Sequence, residues 1–513
     1  NVKQVSKKID FANSLSLKMT KRQKKHRINL CIATKIGRIV YKTRSTQTRF
    51  YFIRTKRAHF KMNSIYLGLV ILASGVLSQI SIQMKMPEEA RMTYTQIANK
   101  YGQKTEEYDV ISEGGYILKL FHIPGDRTKP ILCIHGAIDS ADSFIMRGNT
   151  SLSVALARDN YDVWAMNYRG NKYSRRHTKM NPDSDQEFWN FSAHEIGYYD
   201  VKAHIDFILK KTGEKRLSVI GYSEGTMAMY VLGATRPEYN DKVKILISLA
   251  PICFIQKTGL FMTLVLQMAP IINTGLEAIN NDEVAGHNST IRSLIKEVCS
   301  EKYSGYETCL LNGMFLVTGS DPSEIEPEFF PIIIGHFPAG TSRKNLNHLA
   351  QISQHKKFSN YDYGLKQNMV KYKRPTPPEY DLSKVTMKIA LIVAKNDQIS
   401  TIKDVEKLRK RLPNVKNSKS EVGAFIRFVY NSASQIHKGL PGKILAMAAN
   451  KKETTTAGPA WFLDTSAGNR YTPIPRQLPT PTQVRYRAEK KALDPKRRPT
   501  TNVRPLFSLI IIL

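Results

Sequence analysis

A serine framed by glycines, Gly221-Tyr222-Ser223-Glu224-Gly225, lies between the apolar run LSVI (217–220) and the helix-forming text TMAMYVLGAT. G-x-S-x-G in that setting is the pattern of a nucleophile on a tight strand-to-helix turn. Small flanking residues let the chain turn sharply, and the helix N-terminus favours the anion that forms when serine attacks an acyl carbonyl. His135-Gly136-Ala137 follows another apolar run, PILCI (130–134). A loop there can supply one N–H of an oxyanion hole, the other coming from the residue after the nucleophile. Those donors would be the backbone amides of Ala137 and Glu224, with His135 as a structural neighbour. Asp397, ending ALIVAKND, stands at the edge of a third run and follows the serine in the chain. That is the place of an acid that orients a catalytic histidine. The plainer readings are a βα turn with two glycines and a turn aspartate.

These residues need a sheet to carry them. Residues 106–123 read as a hairpin turning at Glu113-Gly114-Gly115, since Gly-Gly between alternating runs marks a tight turn. Apolar runs at 130–134, 161–166, 217–220, 244–249 and 387–394 then alternate with helical patterns. One predicted helix carries Val201, His204, Ile205, Ile208 and Leu209 on a single face, with Gly213 placed to stop it. Continuous apolar strands separated by helices indicate a mostly parallel sheet covered on both faces, an α/β fold. Residues 252–385 interrupt the rhythm with a long, mainly helical insertion, as a cap would.

The chain has 513 residues, 77 Lys+Arg and 43 Asp+Glu, for a net charge of +34. That length allows two to four domains. The charge sits at the ends: residues 1–61 hold 18 bases and one acid, and residues 416–513 hold 17 bases and five acids. The middle, 62–415, has 42 bases and 37 acids. This distribution opposes a nucleic-acid-binding reading of the folded part. Residues 1–61 are either a basic arm or, as preferred here, not part of the mature protein. MNSIYLGLVILASGVLSQ, starting at Met62, has signal-peptide layout with small residues near Ser78. Its apolar run is short for a membrane span, although it could serve as a signal anchor. The Pro-, Thr-, Lys- and Arg-rich stretch 416–513 reads as a disordered tail or the product of a misjoined gene model.

Residues from about Met86 to Val415 resemble the acid lipase family, which includes gastric lipase, lysosomal acid lipase and insect relatives. The matching blocks are EEYDVISEGGYIL, ILCIHGAIDSADSF, YDVWAMNYRGNKYSRRH, EFWNFSAHEIGYYDVKAHIDFI, the cap texts GHFPAGTS, NLNHLAQ and FSNYDYG, and PTPPEYDLSKV. The resemblance implies an α/β-hydrolase core over 86–251 and 386–415 with a cap over 252–385, while the layout after Met62 gives the signal peptide at 62–78. It implies hydrolysis of carboxylic esters of neutral lipids, triacylglycerols or steryl esters, through an acyl-enzyme on Ser223. A secreted or lysosomal monomer with peripheral contact with lipid surfaces through the cap is expected, and the sequence shows no metal-ligand spacing or phosphate loop, so no cofactor or metal is expected. The stretch FIQKTGLFMTLVLQMAPII (254–272) then reads as apolar lid or acyl pocket, or as plain cap core. Cys299 and Cys309 are expected to pair, as the family often closes a small loop there; Cys133 and Cys253 read as buried thiols.

Three departures from the family stand out. Tyr222 replaces a usual His, and Glu224 replaces a usual Gln; an ionised carboxylate turned inward at 224 would oppose a developing oxyanion. The family's catalytic histidine follows an LPNV-like segment. Leu412-Pro413-Asn414-Val415 is present, but no histidine comes soon after it. His437, beyond the family spacing, is the only histidine later than Asp397. His336 and His348 resemble fixed cap positions. A catalytically impaired lipid-binding protein is therefore the alternative expectation. Asn149, Asn190 and Asn288 head N-x-S/T glycosylation motifs.

Overall fold

The computed structural model describes residues 86–413, except 287, 288, 321, 323 and 324. The expectations for 1–61, the signal peptide at 62–78, Asn288, His437 and the stretch 416–513 lie outside the described residues. Seven strands form the main sheet: β1 (Glu106–Ile111), β2 (Ile117–Ile123), β3 (Asp126–Ile134), β4 (Tyr161–Met166), β5 (Leu217–Tyr222), β6 (Val243–Leu249) and β9 (Ile389–Ile392). Two residues each, β7 (Glu283–Val284) and β8 (Thr341–Ser342), make a separate ribbon.

The main sheet runs β1-β2-β4-β3-β5-β6-β9. β1 and β2 are the expected hairpin, and β2 meets β4 antiparallel. From β4 onward every pairing is parallel. β4 is buried along its whole length, which is why it is apolar at every position but Asp162 rather than alternating. Leu132 lies beside Val219 and Ile134 beside Gly221. That register brings the end of β3, and the loop after it, against the serine turn.

The predicted helix is present as Lys202–Thr212, continuing a π-helical stretch Ile196–Val201. Its buried face holds Val201, His204, Ile205 and Ile208. Gly213 closes it at φ 80°, its N–H donating to the Leu209 carbonyl. Gly197 packs against the helix that follows the serine, Glu224–Thr235, so closely that a Cβ would lie 2.5 Å from the Ala228 oxygen and 2.8 Å from Val231 Cβ.

Between β6 and β9 come the helices Leu260–Ala278, Thr290–Cys299, Phe330–His336, Arg343–His355 and Leu365–Tyr372. A disulfide joins Cys299 to Cys309. This insertion is not a separately packed lobe: Leu266, Ala350, Ile352 and Phe358 belong to the same apolar cluster as Met227, Met229 and Tyr230 of the serine helix. Pro270 sits inside the long helix Leu260–Ala278 and has no N–H to give the Leu266 carbonyl four residues earlier. Gln354 Nε2 supplies that hydrogen bond instead, at 2.7 Å.

Because Gly197 sets the spacing beneath the serine helix, Gly197→Ala is expected to destabilise the protein by about 1–3 kcal/mol through overpacking. Chemical denaturation of the two proteins measures the difference.

Candidate active site

Strand β5 ends at Tyr222 and the next helix starts at Glu224, so Ser223 alone makes the turn, at φ 50° and ψ −116°. A non-glycine residue at positive φ is strained and persists only where its surroundings hold it. Here the Ser223 N–H donates to the Leu249 carbonyl of β6 at 2.9 Å, and the Ser223 carbonyl accepts from Thr226 N at 2.9 Å. Gly225 makes the turn sterically possible: a Cβ there would stand 2.5 Å from the Ile134 oxygen and 2.7 Å from that of His135. The Glu224 amide falls in the first helical turn, where no intrahelical acceptor exists.

After β3 the loop passes through His135, Gly136 and Ala137, with Ile138 at φ 51°. Gly136 lies against the serine turn, its absent Cβ leaving room for Tyr222 Cε1 at 2.9 Å and Ser223 Cβ at 3.3 Å. Among the described residues the Ala137 amide donates to no backbone carbonyl. The Gly136 carbonyl accepts from the Tyr168 hydroxyl and contacts His135 Nδ1 at 2.9 Å. Glu224 is buried, with Oε2 at 2.9 Å from the Tyr168 hydroxyl and Oε1 accepting from Asn345 Nδ2 at 2.7 Å. Burial pushes its carboxyl up to about 7, against the pull of these two partners. The side chain expected to threaten the oxyanion is thus turned into the core and bound there.

Asp397 follows β9 and is 8% exposed. Its Oδ1 accepts from the amides of Ile399 and Ser400, both at 2.8 Å. Burial nevertheless pushes its carboxyl up to about 7. The cap braces this loop: Gln398 N donates to the Thr318 carbonyl, and a Cβ on Gly319 would stand 2.0 Å from the Asn396 oxygen.

Ser223, Ala137, Glu224 and Asp397 open on one cavity of about 420 Å³, whose wall is largely apolar. The long helix supplies one side through Met262, Val265, Leu266, Ala269, Ile272 and Leu276. Its opposite face leaves Leu260 72%, Leu264 45%, Met268 42% and Ile271 66% exposed. Cys299 and Cys309 also reach the cavity.

The histidines read as structural are so placed. His135 is buried, and burial lowers it to about 3. His348 Nε2 meets the Ser359 carbonyl at 2.9 Å and burial lowers it to about 4. His336 is clamped between Asp142 and the Glu89 carbonyl, tying the cap to the loop after β3. Among the described residues no histidine lines the cavity. Asn149 and Asn190 are exposed, and Cys133 and Cys253 are buried and unpaired. The contributions of Tyr168 and Asn345 went unread in the sequence. They lie 56 and 121 residues from Glu224 and carry no local pattern.

A family model for the alpha/beta hydrolase fold matches residues 129–293, and one for a partial alpha/beta-hydrolase lipase region matches residues 94–148. Lipase 1 of Drosophila melanogaster is 35% identical over 332 residues, covering 64% of this chain and 73% of that protein. Gastric triacylglycerol lipase of Mus musculus is 35% identical over 338 residues, covering 64% and 84%. Lipase member K of Homo sapiens is 34% identical over 338 residues, covering 64% and 83%.

The displaced acid carries a consequence for stability. Asp397 is raised from 3.8 to about 7, so the native state keeps its proton after the unfolded chain has lost it. The stabilisation is full at acid pH and is lost as pH rises from about 4 to about 7, at roughly 1.4 kcal/mol per unit of displacement. The stability of wild type minus that of Asp397→Asn should therefore fall across that window. Denaturation curves at a series of pH values test this; parallel profiles would show an acid ionised throughout.

Proposed function

The chain belongs to the acid lipase family of α/β-hydrolases, and from that premise we propose that it cleaves carboxylic esters of neutral lipids with Ser223 as the nucleophile. The observation that carries this reading is the strained serine turn opening, with Asp397, into an apolar cavity of about 420 Å³. Such a mainly apolar cavity suits an acyl chain. Ser223 Oγ attacks that carbonyl, and the amides of Ala137 and Glu224 receive the oxyanion. The alcohol leaves with a proton, and water then releases the acid from the acyl-enzyme. An oxyanion donor of this kind is worth roughly 10²–10³ in rate.

The proton needs a base. In this reading Asp397 orients an imidazole, whose positive charge would draw the raised carboxyl back toward ionisation. His437, the only histidine later in the chain, is the candidate. A second reading is favoured by one observation, the lack of a histidine among the described cavity residues. Under it the protein binds lipid in the same cavity without turnover.

The long cap helix supports a lipid surface as the place of action. It presents exposed Leu260, Phe261, Leu264, Met268 and Ile271 outward while its inner face lines the cavity. An apolar patch of this kind marks an interaction site. We place the protein in a secreted or lysosomal compartment, and the Cys299–Cys309 disulfide supports an oxidising environment.

Two experiments test these readings. A fluorophosphonate probe should label wild type and not Ser223→Ala, and the same substitution should remove hydrolysis of p-nitrophenyl butyrate by several orders of magnitude. His437→Gln should do likewise if that residue is the base. Lipid binding without labelling would favour the non-catalytic reading. Separately, Leu264→Glu with Ile271→Glu should weaken binding to triacylglycerol droplets by about tenfold or more, with hydrolysis of the soluble ester retained.

A further inference from the structure

The amide of Ala137 and the carbonyl of Gly136 are the two ends of one planar peptide. Whatever holds the oxygen therefore aims the N–H. Two groups hold it, the Tyr168 hydroxyl and His135 Nδ1 at 2.9 Å. Asn171 Nδ2, which can only donate, faces His135 Nε2 at 3.2 Å. That nitrogen is the acceptor, so Nδ1 carries the hydrogen given to Gly136.

Tyr168 has a single hydroxyl hydrogen, and the Gly136 carbonyl can only accept it. The same hydroxyl oxygen lies 2.9 Å from Glu224 Oε2. This second contact is a hydrogen bond only when Oε2 bears the hydrogen. Oε1 is already an acceptor, taking Asn345 Nδ2 at 2.7 Å. All the partners are buried, so an unmade bond here would be expensive.

We infer that Glu224 acts as a neutral carboxylic acid, donating from Oε2 to Tyr168 and so fixing the Gly136–Ala137 peptide with its N–H toward Ser223. Glu224 and Tyr168 are then positioning residues, and one network sets both oxyanion donors, since the second is the amide of Glu224 itself. The inference rests on the reading of Ser223 as nucleophile and Ala137 as donor. Loss of the proton reverses the chain of bonds. An ionised Glu224 takes the Tyr168 hydrogen, Gly136 keeps only His135 Nδ1, and the peptide is held less firmly.

The sign of the pH effect follows. Burial holds the Glu224 carboxyl up to about 7, so the working form prevails below that pH and is lost above it. The ionisable groups around the network are Tyr168, with Asp139 and Tyr222 acting on it, and His135, which stays neutral. From the cap it is met by uncharged Asn345. Asp139 is also raised to about 7 by burial, so the test must single out Glu224.

The full-length chain, Glu224→Gln and Tyr168→Phe serve for this. With a soluble short-chain ester, wild-type kcat should fall severalfold as pH rises through about 7. Glu224→Gln keeps a donor toward Tyr168 and should lose that alkaline limb. Tyr168→Phe should lower kcat more than it raises KM below about pH 7, and should differ less from wild type above it. An infrared difference spectrum between about pH 5 and about pH 9 should show, beside the signals of Asp139 and Asp397, a protonated-carboxyl band that is present in wild type and missing from Glu224→Gln. An alkaline limb retained in Glu224→Gln, or the absence of that band at acid pH, overturns the inference. Should wild type not turn over at all, the serine reading fails, and the band alone still decides where the proton sits. The isosteric glutamine variant keeps the test valid if Tyr168→Phe does not fold.

Discussion

The contact on which the site depends is the one made where Gly225 meets the end of β3. The serine helix presses its first turn onto the carbonyls of Ile134 and His135, at a separation that leaves no space for a Cβ. That approach forces the chain through positive φ at Ser223 and puts the nucleophile beside the loop that begins at His135. The parallel register of β3 and β5 sets the axial position, Gly225 sets the depth, and β6 anchors the turn through the Ser223 amide. Strain at one residue is thus held by three strands and a helix.

The cap is built into this arrangement rather than laid over it. Its helices bury residues in the same cluster as the serine helix, and Asn345 reaches the carboxyl that lies behind the oxyanion loop. His336 reaches Asp142 on the other side of that loop. The Asp397 turn is in turn pressed by Gly319. A movement of the cap therefore bears on the nucleophile's neighbours through hydrogen bonds as well as through the cavity wall.

Much of this was legible in the residues. Strands β4 to β6 are mainly apolar rather than alternating because both faces are covered, and the hairpin declares itself by Gly114-Gly115. The serine turn and Asp397 follow from their places at strand ends. The part that stayed hidden is of another kind. The role of Tyr168 depends on a single hydroxyl set between a backbone oxygen and a side chain 56 residues away. No periodicity records such a contact. Glu224 looked adverse because a sequence shows a carboxyl and not its protonation, which burial decides. The likeness to the acid lipases located the residues, while only the packing around them showed which way their polar atoms face.

One detail of the cap reaches further than its size. The long helix Leu260–Ala278 has its backbone ladder interrupted at Pro270, and the orphaned carbonyl of Leu266 is caught by Gln354. Mechanically this is a pinned joint rather than a continuous rod. The stretch before the proline carries Met262 and Val265 on the cavity side, and the stretch after it carries Ile272 and Leu276. Flexing at the pin would part those two groups without unwinding either stretch. The wall on this side of the cavity is thus made of two helical stretches that meet at the residue where the backbone has no hydrogen to give.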